Sequence, residues 1–509
     1  MNADAWRVDG FDDAPPEDLA ARIWKRDASV WGPGDDDPAE RLGWLDLPDT
    51  IRGELAPVEA FVRDTGSHMD RVVLLGMGGS SLAPEVFATC FGVQPGHPAL
   101  SVLDSTHPAQ IRALADGLES TENLFVVSSK SGGTIETMSF YAYFRSMAED
   151  GRDFTAITDP GTSLEELGRS ESFGDVFVNR PDIGGRYSAL SLFGLVPAAL
   201  MGVDLDALLA PAAAAADACG PSTPPAENPG LVIGHALGRL ALGGRDKLTF
   251  LTSPALAPFG DWVEQLIAES TGKLGKGIVP VVGEPSMERY GDDRVFVHLR
   301  LEDDAALDDR VEELRTAGHP VVRLDVTGPE ELGALMYLWE FATAVAGSVL
   351  GINAFDQPDV EAAKKAASAA LESNESPEWD EEDVEELLED AAPPDYAAFL
   401  AFAPRTAERQ EVLDLARTKV ARSSGLATTS GFGPRYLHST GQLHKGGPET
   451  VRALVILDAP DDDLEVPGKP YTFGQLVRAQ AAGDYAALKG AGKRVARTTW
   501  VRFEEWARS

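Results

Sequence analysis

Two turns rich in glycine and hydroxyl-bearing residues follow apolar runs in the first third of the chain. The first run, Val72–Leu75, leads into Gly76-Met77-Gly78-Gly79-Ser80-Ser81. The second run, Leu124–Ser128, leads into Ser129-Lys130-Ser131-Gly132-Gly133-Thr134. A helical pattern follows each turn, so backbone N–H groups, hydroxyls and one lysine would face an anion at a helix start. This pattern predicts a phosphate site.

Each turn also has a simpler interpretation. The first is compatible with a tight turn that binds nothing, and the second with an ordinary capped helix start. A dinucleotide fingerprint would need glycine at position 81, where the chain has Ser81. Neither turn has the Gly-x-x-x-x-Gly-Lys-[Ser/Thr] spacing, which argues against ATP hydrolysis.

Three further segments, together with the two turns, carry a family resemblance. They are Asp182–Ser188, Gln265–Lys273 and Asn353–Lys364, and they follow in this order. All five segments resemble the phosphoglucose isomerase family, over roughly residues 70–366. A tail segment, Gly433–Pro448, is similar to the isomerase half of proteins that fuse transaldolase to phosphoglucose isomerase. The resemblance implies interconversion of D-glucose 6-phosphate and D-fructose 6-phosphate through an enediolate.

The resemblance implies a role for each of three charged residues. Glu269 would be the base that moves a proton between two sugar carbons. Arg186 would stabilise the enediolate, because a guanidinium does not deprotonate. Lys364 would lie near the ring oxygen. Without the resemblance, all three would be interpreted as ordinary solvated or ion-paired charges.

The resemblance also implies the substrate contacts. Gln265 lies one helical turn before Glu269, so both side chains can face one ligand. Gln357 would contact the sugar. The phosphate would be held by Gly79, Ser80, Ser129, Lys130, Ser131 and Thr134.

Ring opening needs a proton donor and acceptor at the sugar's ring oxygen. The family usually places a histidine shortly after a Gly-Glu-Pro turn. This chain has Gly283-Glu284-Pro285, but no histidine follows until His298, in a strand pattern. Our hypothesis is that His438 or His444, in the glycine-rich tail, takes this role together with Lys364. Alternatively, both histidines only fix a loop.

Two other functions remain open at this stage. One is a non-catalytic sugar-phosphate sensor on the same fold. The other is a related isomerase acting on mannose 6-phosphate or an amino sugar phosphate. The chain has no His-x-x-x-His pair, and we expect neither a metal nor another cofactor. Because the family builds its site from two subunits, the resemblance implies a homodimer.

The elements that must position these residues follow from the hydrophobic pattern. Short apolar runs alternate with helical patterns from about residue 70, which predicts βαβ units with parallel sheets. The expected fold class is α/β, with two doubly wound sugar isomerase domains and a small C-terminal α/β unit. We expect an N-terminal helical segment at residues 1–55, domains at 56–210 and 225–370, and a C-terminal subdomain at 392–509.

Composition narrows the partners and the location. The chain has 44 Lys and Arg against 82 Asp and Glu, a net charge of −38 that repels nucleic acid and anionic lipid. The apolar stretch Ala334–Ile352 carries Glu340, which predicts a buried core or interface helix rather than a membrane span. Cys90 and Cys219 show no paired spacing, and the N-terminus lacks a secretory pattern. We therefore expect a cytoplasmic protein without nucleic acid or membrane partners.

Overall fold

The computed structural model describes residues 5–65, 68–359, 371 and 379–509. Its strands are β1 (Trp6–Asp9), β2 (Arg71–Gly76), β3 (Ala99–Leu103), β4 (Asn123–Ser128), β5 (Phe154–Thr158), β6 (Asp175–Val178), β7 (Lys247–Thr252), β8 (Val279–Val281), β9 (Arg294–Leu301), β10 (Val321–Val326), β11 (Tyr396–Phe402), β12 (Ala427–Phe432), β13 (Val451–Leu457) and β14 (Arg494–Thr499). Its α-helices are Leu19–Trp24, Leu47–Thr50, Leu55–Asp64, Leu82–Phe91, Pro108–Asp116, Ile135–Arg145, Ser163–Ser170, Leu192–Leu200, Leu205–Ala218, Pro229–Leu242, Phe259–Thr271, Asp308–Thr316, Leu332–Leu350, Val384–Leu388, Ala407–Ser424, Gly441–Gly446, Phe473–Gly490 and Trp500–Arg508.

The first sheet positions both glycine turns. Its strand order is β3-β2-β4-β5-β6, and all neighbours are parallel. Gly76 at the end of β2 pairs in register with Ser128 at the end of β4. Since parallel strands end at the same edge of a sheet, the two turns lie side by side at the point where the strand order reverses. The two turns therefore share one edge of the sheet, as predicted, and the ligand crevice between them stays a prediction.

Two further sheets complete the α/β fold. The second has the order β1-β10-β9-β7-β8, in which only β1 is antiparallel. The N-terminal segment, expected to be helical, thus also contributes an edge strand to the second sheet. The third sheet has the order β12-β11-β13-β14, all parallel, and belongs to the C-terminal part. The exact domain boundaries remain a prediction.

Helix Leu332–Leu350 forms part of the chain's main core. Among the described residues it is the helix that is long and apolar enough to cross a membrane. However, 89% of its most apolar 18-residue stretch is buried inside the protein. Burial raises the pKa of Glu340 well above its ordinary value, so this carboxyl is neutral in the core. The expectation of a buried helix is confirmed. Of the two alternatives, core or interface, the structure shows the core, because the chain itself covers the helix.

Candidate active site

The first glycine turn is in direct contact with three distant segments. Gly78 has φ +55°, and a Cβ there would lie 2.7 Å from the His438 carbonyl oxygen and 2.9 Å from Gln265 Nε2. A Cβ at Gly79 would lie 1.9 Å from the Gly185 carbonyl oxygen. Because neither position has room for a side chain, glycine is required for this close approach. Ser80 closes the turn and is buried.

The second turn, beside the first, presents a cluster of hydroxyls. Ser129 Oγ and Thr134 Oγ1 lie 2.9 Å apart, while Ser131 is exposed. Thr134 occupies the N-cap position of helix Ile135–Arg145, but its hydroxyl makes no capping hydrogen bond. The turn therefore differs from an ordinary capped helix start, and its hydroxyls and backbone N–H groups can meet an anion. The Lys130 ammonium forms an ion pair with Asp159, so its charge is engaged at the same sheet edge.

Glu269 lies at the centre of a buried hydrogen-bond cluster. Arg186 Nη1 is 3.2 Å from Glu269 Oε1, and Gln265 Nε2 donates to Glu269 Oε2 at 3.0 Å. The expectation that Gln265 and Glu269 share one helix face is met by this contact. The same amide nitrogen donates to the His438 carbonyl oxygen at 2.8 Å. Gln265 Oε1 is buried and has no protein partner in the described part of the chain, so it can accept from a ligand hydroxyl.

The Arg186 guanidinium is fixed by several acceptors besides Glu269. Its Nε donates to Ser270 Oγ at 2.8 Å. Its Nη2 donates to the carbonyl oxygens of Ala354 at 2.7 Å and Asp356 at 2.9 Å. Since the planar guanidinium has fixed donor directions, these bonds set its orientation toward Glu269.

The segment bound by Arg186 leads directly to another predicted contact. Gln357 follows Asp356 and is exposed. Lys364, the predicted partner of the ring oxygen, lies outside the described residues.

Lys273 received no role from the sequence, although it ends the quoted Gln265–Lys273 motif. Its Nζ donates to the Asn353 carbonyl oxygen at 2.6 Å and lies 2.8 Å from Asp356 Oδ1. Burial, reinforced by the nearby Arg186 charge, lowers the pKa of Lys273 to about 7. Lys273 and Arg186 thus both bind the segment at residues 353–356. The position of Lys273 directly after Gly272 in the motif was the sequence signal that could have indicated this role.

The C-terminal tail places one of its two candidate histidines in this cluster. His438 Nε2 lies 3.1 Å from Glu136 Oε1, and the His438 side chain is 18% exposed. Glu136 follows the second glycine turn on helix Ile135–Arg145 and is buried. Sequence reasoning missed Glu136, because one acidic residue near a helix start is unremarkable.

The other candidate, His444, lies elsewhere. Its Nδ1 is 3.0 Å from the Tyr396 hydroxyl, beside the third sheet. Complete burial, with Lys445 next to it, lowers the pKa of His444 to about 3. His444 is therefore neutral at physiological pH and does not join the cluster around Glu269.

Together these contacts bring a carboxylate, a guanidinium, a histidine and two anion-facing turns to one sheet edge. Such a set can bind a phosphorylated ligand and move a proton beside a developing oxyanion. In the described part of the chain no group of three or more His, Cys, Asp or Glu side chains could hold a metal ion.

The chain matches the model of the phosphoglucose isomerase family over residues 54–278 and 319–384. It is 31% identical over 387 residues to the glucose-6-phosphate isomerase of Rubrobacter xylanophilus, covering 65% of this chain and 89% of that one. It is 30% identical over 377 residues to a probable glucose-6-phosphate isomerase of Natronomonas pharaonis, covering 65% of this chain and 86% of that one.

Solved structures agree on the fold. A hypothetical protein from Thermus thermophilus superposes with a TM-score of 0.60 at 27% identity, over 69% of this chain and 93% of that one. A glucose-6-phosphate isomerase from Chlamydia trachomatis superposes with a TM-score of 0.54 at 21% identity, over 72% of this chain and 81% of that one.

Proposed function

This chain belongs to the phosphoglucose isomerase family, and we propose from that membership that it interconverts D-glucose 6-phosphate and D-fructose 6-phosphate through an enediolate. The observation that carries the proposal is the Arg186–Glu269 contact of 3.2 Å, at the edge where both glycine turns meet. A base beside a permanent cation suits a reaction in which removal of a carbon-bound proton creates negative charge on the adjacent oxygens.

Glu269 acts as the base in this proposal. Its two oxygens have separate donors, Arg186 and Gln265, which fix the plane of the carboxylate. A fixed carboxylate can take a proton from one sugar carbon and return it to the next without reorienting. Arg186 lies close enough to neutralise the enediolate oxygens as they form.

The substrate phosphate binds at the second turn, against Ser129, Ser131 and Thr134, with Gly79 and Ser80 beside it. The support is the hydroxyl cluster at a helix start whose Thr134 does not cap the helix. The net charge of −38 repels a phosphosugar at long range, so affinity must come from these local donors. Gln265 and the exposed Gln357 are the proposed sugar contacts.

His438 acts on the ring oxygen. It is the tail histidine that lies beside Gln265 and the first turn, and its Nε2 is paired with Glu136. With Nε2 donating to this carboxylate, Nδ1 is the nitrogen left to exchange a proton with the closed sugar. Lys364 stays a proposed partner on the basis of the resemblance alone.

The test is turnover of glucose 6-phosphate by the purified protein in EDTA, with Glu269→Gln as the inactive control. Formation of fructose 6-phosphate supports the proposal, and binding without turnover would favour a sensor. Parallel assays with mannose 6-phosphate and an amino sugar phosphate establish the substrate range.

A cytoplasmic location, a homodimer and the absence of nucleic acid and membrane partners remain our predictions. The support for the dimer is the family resemblance. Sedimentation at assay concentrations measures the mass of the active species, and an active monomer would contradict the dimer.

A further inference from the structure

The region that supplies His438 lies outside the part of the chain that matches the family. The matched residues end at 384 and omit 279–318, whereas the third sheet and its tail span residues 396–499. The omitted stretch contains Gly283-Glu284-Pro285, after which the expected ring-opening histidine is missing. His438 therefore reaches the site from a unit that the family match does not include.

Residues 396–499, which contain the third sheet and the tail, are called the third unit. This unit holds His438 against both other sheets. Arg435, three residues before His438, pairs with Asp104 after β3 and lies 3.1 Å from Asp261 on helix Phe259–Thr271. The Arg435 side chain is 11% exposed and lies against these carboxylates. Since three residues span at most about 10 Å, this anchor keeps His438 close to Asp104 and Asp261.

The third unit also contacts Glu136 through a second side chain. Gln480, on helix Phe473–Gly490, is 3% exposed and donates its Nε2 to Glu136 Oε1 at 2.7 Å. Its Oε1 accepts from Thr106 Oγ1 at 2.7 Å. The hydrogen-bonded series is thus Thr106, Gln480, Glu136 and His438, with every link within 3.1 Å.

The Gln480 amide fixes the direction of the hydrogen bonds in this series. A carboxylate only accepts, so Gln480 must turn its NH₂ toward Glu136 and its oxygen toward the Thr106 hydroxyl. One Glu136 oxygen then accepts from both Gln480 and His438. Such a shared acceptor restricts the position of the carboxylate and, through it, the tilt of the imidazole.

We propose that Gln480 is a positioning residue for His438, and that the third unit completes the active site within a single chain. This inference rests on the proposed role of His438 in ring opening. The third unit supplies the histidine and also the donor that holds the carboxylate behind it. The base Glu269 and the histidine then act from the same polypeptide.

The first experiment compares Gln480→Leu with Tyr471→Phe in the full-length protein. Tyr471 is a matched control, because its hydroxyl lies 3.2 Å from Ser139, one turn after Glu136 on the same helix. For Gln480→Leu we expect kcat/KM with closed-ring glucose 6-phosphate to fall at least ~10-fold, since small misplacements of catalytic groups are costly. Competitive inhibition by an open-chain phosphosugar acid should change less than about 3-fold, because its binding requires no ring opening.

The split between kcat and KM separates positioning from a merely structural role. Without the Gln480 donor, the Glu136 carboxylate no longer holds the imidazole in one orientation, so kcat with closed-ring glucose 6-phosphate should fall while KM changes less. Thr106→Val should act in the same direction with a smaller effect, and it replaces Gln480→Leu if that variant fails to fold. Losses of kcat no larger than those of Tyr471→Phe, or losses confined to KM, would overturn the assignment of Gln480.

A mixing experiment tests the single-chain site. Glu269→Gln and His438→Ala are refolded together at equal amounts; if each chain completes its own site, the mixture has no more activity than the two variants alone. Recovery toward one quarter of wild-type activity would show a site shared between subunits and overturn the proposal. A His438→Ala variant with full turnover would instead refute the proposed function of His438.

Discussion

Glu269→Gln tests the centre of the proposed mechanism, because it removes the base while preserving the size of the side chain. An amide cannot accept the carbon-bound proton, so turnover should fall at least ~10²-fold, the lower end for loss of a general base. Fructose 6-phosphate should still bind nearly as well, since the hydroxyl turn belongs to a different element. The variant therefore separates chemistry from binding.

The structure also sets the expected cost in stability. Glu269 presents one oxygen to Arg186 and the other to Gln265, and an amide can accept only one of these donors. The remaining contact becomes donor against donor, which costs about 1–3 kcal/mol. Arg186 keeps three other acceptors, on Ser270, Ala354 and Asp356. The loss should therefore stay below the ~3–5 kcal/mol of an orphaned buried charge.

Glu264→Gln is the matched control on the same helix. Burial, reinforced by Asp261, raises the pKa of Glu264 to about 8, so this carboxyl is mostly protonated at neutral pH. The same replacement there should leave turnover and unfolding nearly unchanged. The assay combines steady-state turnover with exchange of the fructose 6-phosphate C1 proton in D₂O. Near wild-type turnover or exchange in Glu269→Gln would refute its role as the base.

Three further predictions concern binding, ring opening and pH. Ser131→Ala with Thr134→Ala should weaken phosphosugar binding, and equal inhibition by phosphorylated and unphosphorylated sugar acids would contradict the phosphate site. His438→Ala should lose turnover of closed-ring glucose 6-phosphate but should still be inhibited by an open-chain phosphosugar acid. His444→Ala should mainly lower the stability of the fold. Unchanged turnover in both variants would refute the role of a tail histidine in ring opening. Because the folded pKa of Lys273 is about 7, below its ordinary 10.5, the unfolded chain binds more protons between these values, and stability should rise with pH there by at most about 5 kcal/mol. Denaturant unfolding at pH 7 and 9 should show this rise in the wild type and not in Lys273→Met.

The placement of the two turns at one sheet edge could be predicted, because it follows from local sequence. The apolar runs of β2 and β4 identify buried parallel strands, and parallel strands end at a common edge. The glycines after β2 could also be interpreted from the sequence, since a close approach of two backbone segments requires glycine. The fold class and the place of the two turns therefore follow from short segments of sequence.

The contacts between distant segments could not be predicted in this way. That β1 adds to the second sheet depends on pairing with β10, more than 300 residues later, and nothing in Trp6–Asp9 indicates this partner. Lys273 resembles any surface lysine until its burial against Asp356 is known. Gln480 lies within an ordinary amphipathic helix, where a buried amide is recognisable only from its partners.

The two tail histidines show why residue type and spacing were insufficient. They lie six residues apart in one glycine-rich segment, and either could have faced the site. Arg435 decides between them, because its pairs with Asp104 and Asp261 anchor the tail just before His438. The chain then turns at Ser439 into the short helix Gly441–Gly446, which directs His444 toward Tyr396. One histidine thus faces a carboxylate that keeps it in contact with the site, and the other is buried where protonation is unfavourable.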